Sequence, residues 1–112
     1  MQALVVLVTC PAREEAEKLA NAVVHERLAA CVNIVPNITS IYRWEGAMTH
    51  DSELLLLIKT EASQLDALQS RIRSLHSYAV PEFIALPILS GSPEYLGWIE
   101  ENIGATENPT AD

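Results

Sequence analysis

Basic residues are scarce in this chain: seven lysines and arginines stand against fifteen aspartates and glutamates, for a formal net charge of -8. Nucleic-acid binding draws most of its affinity from phosphate neutralisation by clustered Lys and Arg, so a few scattered cations in an acidic chain argue against that function. Cysteines number two, Cys10 and Cys31, and form neither a CxxC metal pattern nor a disulfide framework. Reduced thiols in a cytoplasm are the expectation. Long apolar runs are missing too. "LLLLIK" falls far short of the roughly 20 residues that cross a bilayer, so no membrane association is expected. "ALVVLVTC" ends on Cys10 as a short lipoprotein signal would, yet no basic residue precedes it, and a buried first strand is the better reading.

What remains is an ordinary globular composition: 112 residues, 49% hydrophobic and 20% charged. That length buries a core without metal or disulfide support. Residues 1–104 read as one domain, and the polar "ATENPTAD" of 105–112 as a flexible C-terminal tail.

The run "ALVVLVT" at 3–9 is apolar without alternation, as in a central strand buried on both faces. Pro11 fits a first helical position, and Glu14 and Glu15 favour a helix N-terminus. Ala16, Leu19, Ala20, Val23 and Ala30 follow at helical spacing. "CVNIVPNITSIYRW" from Cys31 to Trp44 is rich in β-branched and aromatic residues, with Pro36 marking a bulge or an edge. After a turn at Gly46, "SELLLLIKT" from Ser52 to Thr60 returns as the second arm of an unusually long hairpin. Ser63 and Asp66 have capping-box spacing ahead of a second helix with Leu65, Leu68, Ile72 and Leu75 on one stripe. "VPEFIALPI" is the last strand, and Ser92 and Pro93 start a third helix that turns Tyr95, Trp98 and Ile99 inward.

This order predicts an α+β, ferredoxin-like split βαβ fold, β1-α1-β2-β3-α2-β4, with an added C-terminal helix. Two helices on one face leave the other face of the sheet bare, which predicts self-association. RNA-recognition modules share the element order but stack bases on aromatics of the third strand, and none stands in "SELLLLIK".

"ERLAACVNIVP" at 26–36, "TSIYRWEG" at 39–46, "LLIKT" at 56–60, "VPE" at 80–82 behind His76 and Tyr78, "ALPI" from 85 and "YLGWI" ending at 99 together resemble the CutA family of divalent-cation tolerance proteins. The resemblance spans nearly the whole chain. It implies a stable cytoplasmic homotrimer related in architecture to the PII signal-transduction proteins, and an association with copper and other divalent metal ions in crevices between subunits. The family's usual "HPYEVPE" is "HSYAVPE" here, so Ser77 stands in place of a proline and Ala79 in place of a polar residue. Asn37 follows "VP" where many members carry glycine; asparagine also tolerates a left-handed backbone.

His76, Glu82 and Cys10 would supply imidazole, carboxylate and thiolate, a donor set suited to copper or zinc. Against a ligand role for His76 stands a plain one, a cation capping the C-terminus of the second helix. Cys10 lies where a strand hands over to a helix N-terminus, a position that lowers a thiol pKa. Cys31 reads as a small buried hydrophobe. Tyr42 and Trp44 share one strand face and Arg43 takes the other; with Lys59 and Tyr78 they are assigned to the inter-subunit crevice or interface, the aromatic pair buried against a neighbouring subunit. Lys59 faces Glu45, Glu82 or a bound anion, as an ion pair or an anion contact. His25 and His50 receive no role. No glycine-rich phosphate loop or HExxH helix is present and nothing ties Cys10 to a base, so no enzymatic activity is assigned. The alternative to a metal-binding trimer is a PII-like small-ligand sensor, or a scaffold presenting its hairpin tips to an unknown protein partner.

Overall fold

A computed structural model describes residues 1–104; the tail expected at 105–112 lies outside the described residues. The elements are β1 (Ala3–Cys10), α1 (Arg13–His25), β2 (Cys31–Trp44), β3 (Ala47–Glu61), α2 (Leu65–Leu75), β4 (Ile84–Pro87) and α3 (Pro93–Glu101), with a short 3-10 turn at Ala62–Gln64. The strands form one antiparallel sheet in the order β2-β3-β1-β4, the ferredoxin-like arrangement with an added helix.

One row across the sheet shows how the alternation builds the core. Val32 pairs with Ile58, Ile58 with Val6, and Val6 with Ala85, so four apolar side chains stand on the same face. Leu19 and Val23 of α1 and Leu68 and Ile72 of α2 close over this face and are fully buried. Moving one residue along each strand reaches the opposite face, where Leu57 pairs with Leu7 and Leu7 with Ile84. Ile84 and Leu86 are 47% and 45% exposed there, an apolar surface that no element among the described residues covers completely.

β2 and β3 run 14 and 15 residues and give the molecule a long axis of 52 Å. The return strand begins at Ala47, five residues before the expected Ser52, because the turn is only Glu45–Gly46. Both residues have positive φ, 49° and 82°, as a two-residue hairpin turn of matching twist requires. The ladder shifts register between Val35 and Ile38, where Asn37 adopts φ 62°, so Pro36 does mark a bulge.

Other boundaries differ from expectation for identifiable reasons. Pro11 precedes α1 rather than opening it; Ala12 occupies the N-cap. Ala30 is not on α1, because Arg27 turns the chain with φ 61°. The Arg27 guanidinium donates to the carbonyls of Gly104 and Glu101, tying this turn to the end of α3. Ala30 then packs with Ile99 and Ile103 in a second small core. The Ser63/Asp66 capping box does not form, since the 3-10 turn moves the start of α2 to Leu65 and Gln64 is its N-cap. β4 is shorter than "VPEFIALPI", because the carbonyl of Thr9, which would continue the ladder beyond Leu7, is bonded to the His76 ring. Ser92 caps α3 through the Tyr95 N–H, with Pro93 next. Ile99 is buried, whereas Tyr95 and Trp98 stack on one another 5.6 Å apart and stay 42% exposed instead of turning inward.

Candidate functional site

Three element ends meet at one edge of the sheet: the last residue of β1, the first turn of α1 and the residue that caps α2. They bring Cys10, Glu15 and His76 together, with one donor atom from each within 4.8 Å of the others. Cys10 is fully buried and His76 is 9% exposed.

The His76 ring is held on both sides. Nε2 lies 2.7 Å from the Thr9 carbonyl oxygen, and Nδ1 lies 3.0 Å from the Tyr78 backbone N–H. An N–H can only donate, so this pattern assigns the ring proton to Nε2 and the lone pair to Nδ1. Glu15 Oε2 also stands 3.2 Å from Nδ1, a contact that is attractive only when Nδ1 carries a proton. Two arrangements of the ring proton therefore each have a partner in place. Glu15 is fixed by the Ser77 backbone N–H, which donates to the same Oε2 at 2.9 Å. A proline at 77, usual in the family that the sequence resembles, has no N–H and would release this carboxylate.

Cys10 Sγ approaches from the Nε2 side at 3.9 Å. Its thiol is pushed up to about 12, first by burial and then by the charges of Glu15 and Glu53. The lowered pKa expected from its place in the sequence is thus overturned. α1 does not begin until Arg13, and desolvation with two carboxylates outweighs a distant helix terminus. His76 is not a helix cap through its ring either, because that ring bonds to β1 rather than to the last carbonyls of α2.

The carboxylate of the cluster is Glu15, and Glu82 is not among its members. Glu82 instead lines an adjoining open cavity of about 760 Å³, together with Tyr42, Trp44, Glu53 and Tyr78. Partial burial and the neighbouring Glu53 charge both raise its pKa. The Tyr78 hydroxyl donates to Glu53 at 2.7 Å and Tyr42 donates to Asp51. The Tyr78 phenol is pushed up by burial and by that bond, and the Tyr42 phenol chiefly by its bond to Asp51.

Of the residues expected to share a crevice, Tyr42, Trp44 and Tyr78 come together; Arg43 and Lys59 do not line this cavity. Lys59 donates to the Asn33 side chain in place of the expected carboxylate or anion. Cys31 is only partly buried, not the core hydrophobe expected. Sequence reasoning missed Glu15, Glu53 and Thr9. For Glu53 a signal existed: it directly precedes the apolar run of β3, and alternation puts it on the face opposite Leu54.

The split βαβ sheet with its over-long hairpin places the chain among small ferredoxin-like α+β proteins. Comparison with known sequences is specific. The profile of the CutA1 divalent ion tolerance protein family matches residues 4–102. The chain is 56% identical over 100 residues to the divalent-cation tolerance protein CutA of Thermus thermophilus, covering 89% of this chain and 97% of that protein. It is 54% identical over 99 residues to the chloroplastic protein CutA of Arabidopsis thaliana, covering 88% of this chain and 54% of that longer protein. The crystal structure of CutA1 from Oryza sativa superposes with a TM-score of 0.91 at 47% identity, covering 95% of this chain and 97% of that one. The chain belongs to the CutA1 divalent ion tolerance family. Among the described residues no helix is long and apolar enough to cross a membrane.

Proposed function

We propose that this protein is a cytoplasmic homotrimer that binds a divalent metal ion, copper foremost, through Cys10 and His76 in crevices between subunits. The observation that carries the metal reading is the 3.9 Å separation of Cys10 Sγ and His76 Nε2. Two ligands of one tetrahedral ion, at ordinary metal–nitrogen and metal–sulfur lengths, stand about 3.6 Å apart. The donors fit a soft or borderline ion better than magnesium or calcium. Glu15 would not complete the coordination but would orient it. Were Nε2 to hold the ion, the ring proton would sit on Nδ1, which the Glu15 carboxylate faces at 3.2 Å. Ionising Cys10 releases a proton, so uptake should weaken as pH falls.

The trimer reading rests on the bare apolar face around Leu7, Leu57 and Ile84, and on the exposed edge of β2 carrying Trp44. Strand pairing between copies would cover both. The cytoplasmic reading rests on two unpaired thiols. Calorimetric titration with Cu(II) under anaerobic conditions, on protein whose mass is measured by light scattering, tests the proposal. Three chains per particle and one ion per chain are expected, with uptake lost in His76→Ala. Equal uptake by the wild type and His76→Ala would refute the metal site, and a monomer would refute the crevice.

A further inference from the structure

Two consecutive peptide N–H groups after α2 serve one ring atom by different routes. The Tyr78 N–H donates to His76 Nδ1 at 3.0 Å. The Ser77 N–H donates to Glu15 Oε2 at 2.9 Å, and that oxygen stands 3.2 Å from Nδ1. When Nδ1 is unprotonated Tyr78 is its partner; when Nδ1 carries the ring proton, Glu15 is. Ser77 therefore acts on the imidazole only through Glu15.

Glu15 depends on this bond for its place. Its side chain is only 16% exposed, yet among the described residues no lysine or arginine pairs with it; Arg13, two residues earlier, pairs with Glu17 instead. Holding a long carboxylate side chain in one rotamer costs conformational entropy, and the Ser77 N–H is the donor that offsets it here. The contact uses the peptide group of Ser77 and not its hydroxyl.

We infer that the Ser77 peptide N–H is a positioning group for the metal site: by fixing Glu15 against Nδ1 it keeps the imidazole oriented with Nε2 toward Cys10, and so sets how tightly the site holds a divalent ion. The inference rests on the metal reading above and adds to it a group that supplies no ligand. A carboxylate bonded to the far nitrogen of a ligating imidazole fixes the ring and raises its basicity, and loss of such a partner costs about ten- to a hundredfold in metal affinity. What matters at position 77 is then the N–H rather than the side chain. Proline, which has no N–H, leaves Glu15 unheld.

The test uses the full-length protein and Zn(II) alone, which is redox-silent, with a chromophoric chelator in competition to read the affinity. Ser77→Pro removes the N–H at a place where the backbone accepts proline, since His76 is extended, with φ -76° and ψ 144°, as a residue before proline prefers. Affinity should fall about tenfold in Ser77→Pro. Ser77→Ala, which keeps the N–H, should restore the wild-type value. Glu15→Ala should lose as much as Ser77→Pro, and the double variant no more than either, because the N–H works only through that carboxylate. In proton NMR of the zinc-loaded wild type the His76 Nδ1 proton should give a low-field, slowly exchanging resonance, displaced upfield in Ser77→Pro and in Glu15→Ala. Equal zinc affinity in wild type and Ser77→Pro, or losses that add in the double variant as a plain backbone disturbance would, overturns the inference and leaves the metal site standing. No zinc binding by the wild type overturns the metal reading and the inference with it.

Discussion

In the folded protein iodoacetamide is expected to alkylate Cys10 about a thousandfold more slowly at pH 8 than in the same protein unfolded in urea, measured by mass spectrometry in a Cys31→Ser background. Alkylation goes through the thiolate, and an unfolded thiol ionises near 8.5. Folded, Cys10 is pushed up to about 12. Each unit costs a factor of ten in thiolate, and full burial slows the reagent further. The same displacement ties stability to pH. Between about 8.5 and 12 the unfolded chain has lost the Cys10 proton and the folded chain has kept it, so stability falls as pH rises through that window and is unaffected below it. The Tyr78 phenol, also raised, adds a loss of the same sign that begins near pH 10, within that window, and continues above it. Replacing Cys10 with alanine should flatten the first part of the alkaline limb. A native alkylation rate within a few-fold of the unfolded rate would show Cys10 to be an ordinary exposed thiol.

His76→Ala is expected to destabilise the fold by about 3 kcal/mol in urea unfolding at fixed protein concentration, of which the two lost hydrogen bonds account for about 2 and the vacated ring volume for the remainder. The ring ties the end of β1 to the segment after α2 through Thr9 and Tyr78. Without it a buried carbonyl and an N–H lose their partner together, and Glu15 keeps only Ser77. His76→Gln, whose amide reaches the Thr9 carbonyl, should recover part of the loss. A change under about 0.5 kcal/mol for His76→Ala, the range of ordinary surface substitutions, would mean that the ring is not the joint described.

Most of the fold was legible because period and punctuation agree along the chain. "ALVVLVT", the β-branched stretch around Pro36 and the stripe Leu68–Ile72 each dictate their element, and their order dictates the topology. The boundaries that differed were set by partners distant in sequence. β4 is cut short by a carbonyl that the His76 ring takes, and Ala30 leaves the α1 pattern because Arg27 reaches α3. The site divides in the same way. Cys10 and His76 were singled out from residue type and family likeness, and the structure brings them together. The carboxylate expected beside them was Glu82, a near neighbour in sequence; the one that the structure places there is Glu15, which owes its position to the backbone N–H of Ser77, 62 residues away. The direction of the Cys10 shift was likewise unreadable, since burial and the charge of Glu53 arise only when β3 packs beside β1.

Absorption spectroscopy during Co(II) titration under anaerobic conditions is the most direct measurement of the central claim, that Cys10 and His76 hold a divalent ion. A thiolate ligand produces an intense near-ultraviolet charge-transfer band that carboxylate or imidazole ligands do not. This band is expected in the wild type at one ion per chain, with its loss in Cys10→Ser and His76→Ala and its retention in Glu82→Gln. Cobalt uptake with no thiolate band in the wild type, or with a band that survives in His76→Ala, would contradict it.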